Sequence, residues 1–141
     1  MPCPKVLIYS DGSCWPNPGP GGWGAVLHFE REGQNPRIVE LRGRAEGSTP
    51  NNRMELTAAI EAMKFLARPH EVHIYTDSQY LQNGARSWLA IWQRRAWRSG
   101  RKPVMNQDLW AEILKLKAYH QTHWHWVRGH ADCAENCRAD A

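Results

Sequence analysis

The chain of 141 residues is long enough for one domain with a hydrophobic core, and its net charge of +4 is too small to identify a partner by itself. No apolar stretch approaches the roughly 20 residues that span a bilayer, the start does not resemble a signal peptide, and the four cysteines lack the spacing of secreted scaffolds. We therefore expect a single domain, 1–141, that is cytoplasmic and monomeric, with reduced thiols and no membrane partner.

Alternating apolar and polar residues predict three strands in the first third of the chain. They cover residues 5–10, 23–30 and 37–45, and the sequence from Asp11 to Gly22 is rich in turn-forming residues. We expect these strands to pair as an antiparallel meander.

Helical periodicity begins after these strands. The further predicted elements are a helix over 52–67, a strand over 71–76, helical segments over 78–83 and 87–95, a helix with Asp108 as its N-cap, and a last strand over 122–127. Strands followed by helix–strand alternation indicate an α/β fold. The expected architecture is a five-stranded mixed sheet, three antiparallel strands then two parallel ones, with helices on both faces.

Four carboxylates stand at places where a chain normally avoids charge. Asp11 and Asp77 each follow a similar apolar run, so neighbouring parallel strands would place them side by side. Glu55 lies in the first turns of the predicted helix, and Asp140 lies ten residues after His130. A carboxylate cluster repels itself unless a cation lies within it, and carboxylate oxygens are preferred ligands of Mg²⁺ and Mn²⁺. The sequence therefore predicts a site for hard cations at the strand ends.

Each of these carboxylates also has an ordinary structural explanation. Asp11 with Gly12 could open a turn, Glu55 could form a capping box with Asn52, and Asp77 could cap the next helix. Taken singly, these explanations are the more common ones. Their joint occurrence favours the metal site.

Residues 86–102 form a basic segment. Between Asp77 and Asp108 there is no acidic residue, and the rest of the chain is net acidic. The cations of the segment are Arg86, Arg94, Arg95, Arg98, Arg101 and Lys102, and its tryptophans are Trp88, Trp92 and Trp97. Cations interleaved with aromatic rings are typical of surfaces that contact a phosphate backbone. The alternative is a solvated helix whose tryptophans reach the core.

Several long motifs of the chain closely resemble those of bacterial type 1 ribonucleases H. They are DGSC at 11–14 with NPGPGGWGA at 17–25, NNRMEL at 51–56, YTDSQY at 75–80 and WVRGHA at 126–131. The resemblance extends from the first strand to Asp140, and the family's last helix, expected to be missing here, would begin where the sequence stops at Ala141. It implies a ribonuclease H-like fold and an endonuclease that hydrolyses the RNA strand of RNA–DNA hybrids, leaving 5′-phosphate and 3′-hydroxyl ends.

The same resemblance implies roles for individual residues. Asp11, Glu55, Asp77 and Asp140 would bind two Mg²⁺ ions, with Mn²⁺ as a substitute, and His130 would assist proton transfer or product release. The implied RNA contacts are Gly12, Ser13, Cys14, Asn17 and Gln79. The implied DNA contacts are Asn51, Asn52, Arg53 and Trp88, and a basic protrusion would add Trp92, Arg94, Arg95, Trp97, Arg98 and Lys102. The remaining histidines, expected to be surface or structural, are His28, His70, His73, His120, His123 and His125.

Two departures from the family pattern bear on these roles. Pro50 stands where the family usually has a threonine or serine that binds DNA phosphate, and proline has neither hydroxyl nor amide hydrogen. Either Thr49 substitutes for it or the phosphate pocket is weaker here. His130, Cys133 and Cys137 could be imagined as a zinc site, yet no fourth ligand is evident.

Two rival functions remain open at this point. A metal-dependent nuclease of the same fold, such as a resolvase or integrase core, would need neither the basic protrusion nor the motif at 51–56. A hybrid-binding module without catalysis would gain by losing its carboxylates, and all four are present.

Overall fold

The computed structural model describes residues 4–14, 19–30, 33, 35–95, 97–99, 102–103 and 105–127. The elements in these ranges are β1 Lys5–Cys14, β2 Gly19–Phe29, β3 Arg37–Thr49, α1 Asn51–Lys64, β4 Glu71–Thr76, α2 Gln79–Asn83, a π-helical turn Gly84–Trp88, α3 Leu89–Arg94, β5 Arg98–Ser99, β6 Lys102–Pro103, α4 Gln107–Tyr119 and β7 Gln121–Trp126.

The main sheet has five strands in the order β3-β2-β1-β4-β7. The pairs β1–β2 and β2–β3 are antiparallel, while β1–β4 and β4–β7 are parallel. The two-residue strands β5 and β6 pair with each other within the basic segment. The predicted mixed sheet, three antiparallel strands followed by two parallel ones, is confirmed.

Strand β1 is longer than the sequence pattern predicts. It continues through Asp11 and Gly12 to Cys14, and in the ladder Asp11 faces Gly24 while Cys14 faces Gly21. The prediction of a turn beginning at Asp11 is therefore wrong. Turn-forming residues have weak strand propensity, but the hydrogen bonds to β2 hold them in the sheet.

One face of the sheet is covered by helices. Alternate residues of β1 and β4, among them Val6, Ile8, Val72 and Ile74, are fully buried beneath α1, α2 and α4. The described helices lie on this face, so a helix on the second face stays a prediction. None of the described helices has both the length and the apolar character needed to cross a membrane.

The predicted helical segments after β4 are continuous. The π-helical turn joins α2 to α3, and a Cβ atom added at Gly84 would collide with the ring of Trp110, which is fully buried. Glycine is therefore required there by the close approach of α4 to this turn.

The N-cap predicted for α4 is wrong. Asn106 occupies that position with a left-handed backbone (φ 59°), which asparagine tolerates better than most residues, and Asp108 lies in the first turn. Asp108 instead binds Arg53 on α1.

Gly84→Ala should lower the free energy of unfolding by about 1–3 kcal/mol because the added methyl group overpacks against Trp110. The change opposes helix propensity, which favours alanine over glycine by roughly 0.5–1 kcal/mol. Ser87→Ala, at an exposed position of the same turn, is the control and should be neutral or slightly stabilising. Urea denaturation of both variants measures the difference, and a Gly84→Ala variant as stable as the wild type would contradict the packing argument.

Candidate active site

Three of the four predicted carboxylates meet at one end of the sheet. Asp11 lies in β1, Asp77 directly follows β4, and Glu55 lies in α1. One carboxylate oxygen from each lies within 4.8 Å of the other two. Asp11 is only 4% exposed, whereas Glu55 and Asp77 are partly buried. Asp140 and His130 lie outside the described residues.

The sheet register brings the two aspartates together. Tyr9 of β1 faces Tyr75 of β4 in the parallel ladder, and an aspartate follows each tyrosine two residues later, Asp11 within β1 and Asp77 just after β4. Residues two apart on a strand share a face, so Asp11 and Asp77 extend the row begun by the stacked tyrosine rings, whose centroids are 5.0 Å apart.

Close packing of α1 against β1 brings Glu55 to the aspartates. A Cβ atom added at Gly12 would lie 2.6 Å from the backbone nitrogen of Glu55 and would also collide with the backbone of Met54. Only glycine permits this approach. Ala58 and Ala62, which share the face of Glu55, are fully buried, and their small side chains permit close packing further along the helix.

The structure does not support the ordinary explanations for these carboxylates. Ser78 caps α2, with its Oγ accepting a hydrogen bond from the amide of Leu81 at 3.0 Å, so Asp77 is not the cap. The N-cap of α1 is Pro50, which offers no side-chain hydrogen bond, so Glu55 does not complete a capping box. Three carboxylates held together without a capping role fit a hard divalent cation such as Mg²⁺ or Mn²⁺.

The polar residues beside the carboxylates fall into two groups. Ser13, Asn52 and Gln79 are exposed and available to a ligand. Asn51 instead accepts a hydrogen bond at its Oδ1 atom from the amide of Cys14, at 2.6 Å, and so ties α1 to β1. Burial raises the pKa of the Cys14 thiol. Asn17 lies outside the described residues.

Arg53 forms an ion pair that the sequence did not predict. Its guanidinium donates to both carboxylate oxygens of Asp108, at 3.1 and 2.8 Å, and to the Oδ1 atom of Asn106 at 3.1 Å. The hydrogen bond raises the pKa of Arg53 and lowers that of Asp108. The pair joins α1 to α4 and fixes the turn that carries Asn52.

In the basic segment, one tryptophan lies at the surface and two pack against the core, so each of the two interpretations holds for part of the segment. Trp88 is 36% exposed, whereas Trp92 and Trp97 pack against the core. The ring of Trp92 contacts that of Trp88, with centroids 5.8 Å apart, and that of buried Trp110 at 5.4 Å. A continuous aromatic stack thus supports Trp88 at the surface. Arg86, Arg94 and Arg95 are exposed, and the side chains of Arg98 and Lys102 lie outside the described part of the structure.

Comparisons with known proteins agree on one family. The family model described as RNase H matches residues 4–141. The chain is 57% identical to a Ribonuclease H of Halorhodospira halophila over 137 residues, which are 96% of this chain and 88% of that protein. It is 53% identical to a Ribonuclease H of Pelobacter propionicus, covering 96% of this chain and 80% of that one. Among solved structures, LC9-RNase H1, described as a type 1 RNase H with the type 2 active-site motif, has a TM-score of 0.88 at 34% identity, covering 99% of this chain and 70% of that one.

Two isosteric substitutions should change stability in opposite directions when EDTA is present. Asp77→Asn should raise the free energy of unfolding by roughly 1 kcal/mol, because it removes one of three like charges whose oxygens lie within 4.8 Å of one another. Asp108→Asn should lower it by less than about 1 kcal/mol, because it breaks an exposed ion pair. Excess Mg²⁺ should reduce the stability gain of Asp77→Asn, since the wild type binds the metal more tightly than this variant does. Urea denaturation with and without Mg²⁺ measures both effects.

The difference in stability between the wild type and Asp108→Asn should depend on pH in a direction set by the pKa of Asp108. The pKa of Asp108 is lowered in the folded chain from its usual 3.8, so the stabilisation is complete above that pH. It is lost as the pH falls through the lowered value, and in stronger acid the wild type and Asp108→Asn should be equally stable. If Asp77→Asn were less stable than the wild type in EDTA, the carboxylates would not repel one another as argued. If the wild type remained more stable than Asp108→Asn in acid, the ion pair would not explain the difference.

Proposed function

Because the chain belongs to the RNase H family, we propose that it hydrolyses the RNA strand of RNA–DNA hybrids, leaving 5′-phosphate and 3′-hydroxyl ends. The observation that carries this proposal is the convergence of Asp11, Glu55 and Asp77 within 4.8 Å from three separate elements. We propose that these residues, with Asp140, bind two Mg²⁺ ions, which Mn²⁺ can replace. The proposal includes the expectation of a monomer acting in the cytoplasm.

Bound divalent ions would lower the pKa of an attacking water and stabilise the leaving oxygen of the phosphodiester. The chain supplies rigid ligands for that purpose. Asp11 is held in the paired strand β1, and Glu55 lies in a helix whose start is tied to that strand by the hydrogen bond from Cys14 to Asn51. We assign His130 a supporting role, since a histidine titrating near neutrality can carry a proton from the site.

Substrate discrimination would use the exposed residues beside the carboxylates. Ser13 and Gln79 lie close to Asp11 and Asp77 in the chain and are exposed, which suits contacts with the 2′-hydroxyl groups of the RNA strand. Gly12 and Cys14, which are buried, would add contacts through their backbone, and Asn17 would add a further contact to the same strand.

The DNA strand would lie along the first turn of α1. Asn52 is exposed there, and Arg53 would contact the DNA backbone while it stays paired with Asp108, which fixes the position of its charge. Asn51 and Trp88 complete this proposed surface. The cations of the basic protrusion, Arg94, Arg95, Arg98 and Lys102, would bind phosphates beyond the active site, and Trp92 and Trp97, which pack against the core, would support that surface.

The first test of activity uses labelled RNA–DNA hybrid, duplex RNA and duplex DNA, each with Mg²⁺ or EDTA. We expect cleavage of the RNA strand in the hybrid alone, and only with Mg²⁺. Glu55→Gln should slow cleavage roughly 100-fold or more, because removing a metal ligand takes away several kcal/mol of transition-state stabilisation. Glu61→Gln, on the same helix but paired with Lys64 at 3.9 Å, is the matched control and should retain full activity.

Other outcomes would assign a different function. Hybrid binding without cleavage in Mg²⁺ would indicate a binding module, and cleavage of duplex DNA would indicate another nuclease of this fold. Cleavage in EDTA, or equal rates for Glu55→Gln and Glu61→Gln, would contradict the metal-dependent mechanism.

The basic segment should contribute affinity rather than chemistry. We expect the double variant Arg94→Ala, Arg95→Ala to have a higher KM than the wild type and nearly the same kcat. The slope of log affinity against log salt should be shallower by about 0.9 for each phosphate that is no longer neutralised. The control is Arg42→Ala with Arg44→Ala, two exposed arginines on the edge strand β3. An equal rise of KM in both variants would show that only total charge matters.

A further inference from the structure

The second face of the sheet carries a row of aromatic rings that includes three histidines. On β4 and β7, the ring of His73 stacks on that of His123, with centroids 4.5 Å apart, and on that of His125 at 5.4 Å. The row continues through Tyr75, which stacks on His125 at 4.7 Å. From the sequence, these histidines were expected to have surface or structural roles. Their clustering instead concentrates metal-binding nitrogen atoms at one place.

Glu71 adds a carboxylate to this cluster. Glu71 and His73 lie two residues apart on β4 and share a face, and His73 faces His123 in the parallel ladder. The Oε2 atom of Glu71 lies 2.7 Å from the Nε2 atom of His73. One ligand atom from each of Glu71, His73 and His123 lies within 4.8 Å of the other two.

We propose that Glu71, His73 and His123 form a second metal site, which binds one Zn²⁺ ion and is separate from the carboxylate cluster. Two imidazoles and one carboxylate are a donor set typical of zinc, whereas a cluster made only of carboxylates favours Mg²⁺. Ligands about 2.1 Å from one ion in tetrahedral geometry lie roughly 3.4 Å apart, so Glu71 and His73, at 2.7 Å, would have to separate by less than about 1 Å to share it. The ion would replace the proton that these two groups share.

The surroundings of His73 support metal binding through its Nε2 atom. Its Nδ1 atom lies 3.1 Å from the Nε2 atom of His125, within hydrogen-bond distance. A metal-ligating histidine usually donates its other ring N–H to a neighbouring acceptor, which fixes the tautomer and the ring orientation. His125 is therefore a positioning residue for the site and contributes no ligand.

One ring must turn before the ion can bind. The planes of His73 and His123 are only 12° apart, so their nitrogen lone pairs lie in nearly parallel planes and do not converge. His123 is exposed and belongs to β7, the last strand in the order of the five-stranded sheet, so its ring can rotate without disturbing the core. Bound Zn²⁺ would then link β4 to β7.

Nearby cations limit the affinity. His123 borders a surface cavity of about 490 Å³ that is also lined by Arg86 and Lys117. Solvent and metal can reach His123 from this cavity, but the two positive side chains repel a dication. We therefore expect a dissociation constant in the micromolar range.

The test is a Zn²⁺ titration of the whole chain in a large excess of Mg²⁺, which occupies the carboxylate cluster, with a chelating dye as competitor. We expect one equivalent of Zn²⁺ whose affinity falls at least about 10-fold in His123→Asn and in Glu71→Gln. His28→Asn, which lies on β2 and outside this set of ligands, is the control and should bind as the wild type does. Added Zn²⁺ should raise the Tm of the wild type and the control but not that of His123→Asn.

Equal Zn²⁺ affinity in the wild type, His123→Asn and Glu71→Gln would overturn the proposal. So would a bound equivalent that disappears only when Cys133 and Cys137 are replaced by serine. Cleavage of the hybrid in Mg²⁺ is measured on the same samples and should be unchanged in His123→Asn. The zinc site and the proposed nuclease activity can therefore fail independently.

Discussion

The close approach of α1 to β1 is the constraint on which the candidate active site depends. At Gly12 the strand leaves no room for a Cβ atom, because the backbone of Met54 and Glu55 lies directly against it. A helix that lay farther from the sheet would hold the Glu55 carboxylate farther from Asp11 than the observed 4.8 Å limit. Glycine in the strand, with alanines on the facing side of the helix, removes that separation.

Two polar contacts hold α1 in this position from opposite sides. Asn51 accepts the amide hydrogen of Cys14 and anchors the start of the helix to β1, while Arg53 binds Asp108 and anchors the same turn to α4. The charges of a carboxylate cluster repel one another, so a helix carrying Glu55 would otherwise tend to move away from the aspartates. The family motif at 51–56 therefore has a structural task in addition to any contact with substrate.

The sequence predicts the sheet and the meeting of Asp11, Glu55 and Asp77 because both depend on local patterns. Strand 71–76 follows from alternation, and the similar runs before Asp11 and Asp77 indicate parallel neighbours. Contacts between distant segments were not predictable in the same way. Arg53 and Asp108 lie 55 residues apart, and the histidine cluster depends on the register of β4 with β7. A turn was predicted at Asp11 because propensity ignores the pairing partner that keeps this residue in β1.

Strand β4 connects the two proposed metal sites and also separates them. Its residues Glu71 and His73 share the second face of the sheet with His123, whereas Asp77 follows its carboxyl end and meets Asp11 and Glu55. Each site draws its second strand from a different neighbour, β7 for the histidines and β1 for the aspartates. Imidazole nitrogen and carboxylate oxygen differ in the ions they prefer, so one short strand can present two donor sets with different metal preferences. The metal preference of each proposed site therefore follows from the residues that its strand register brings together.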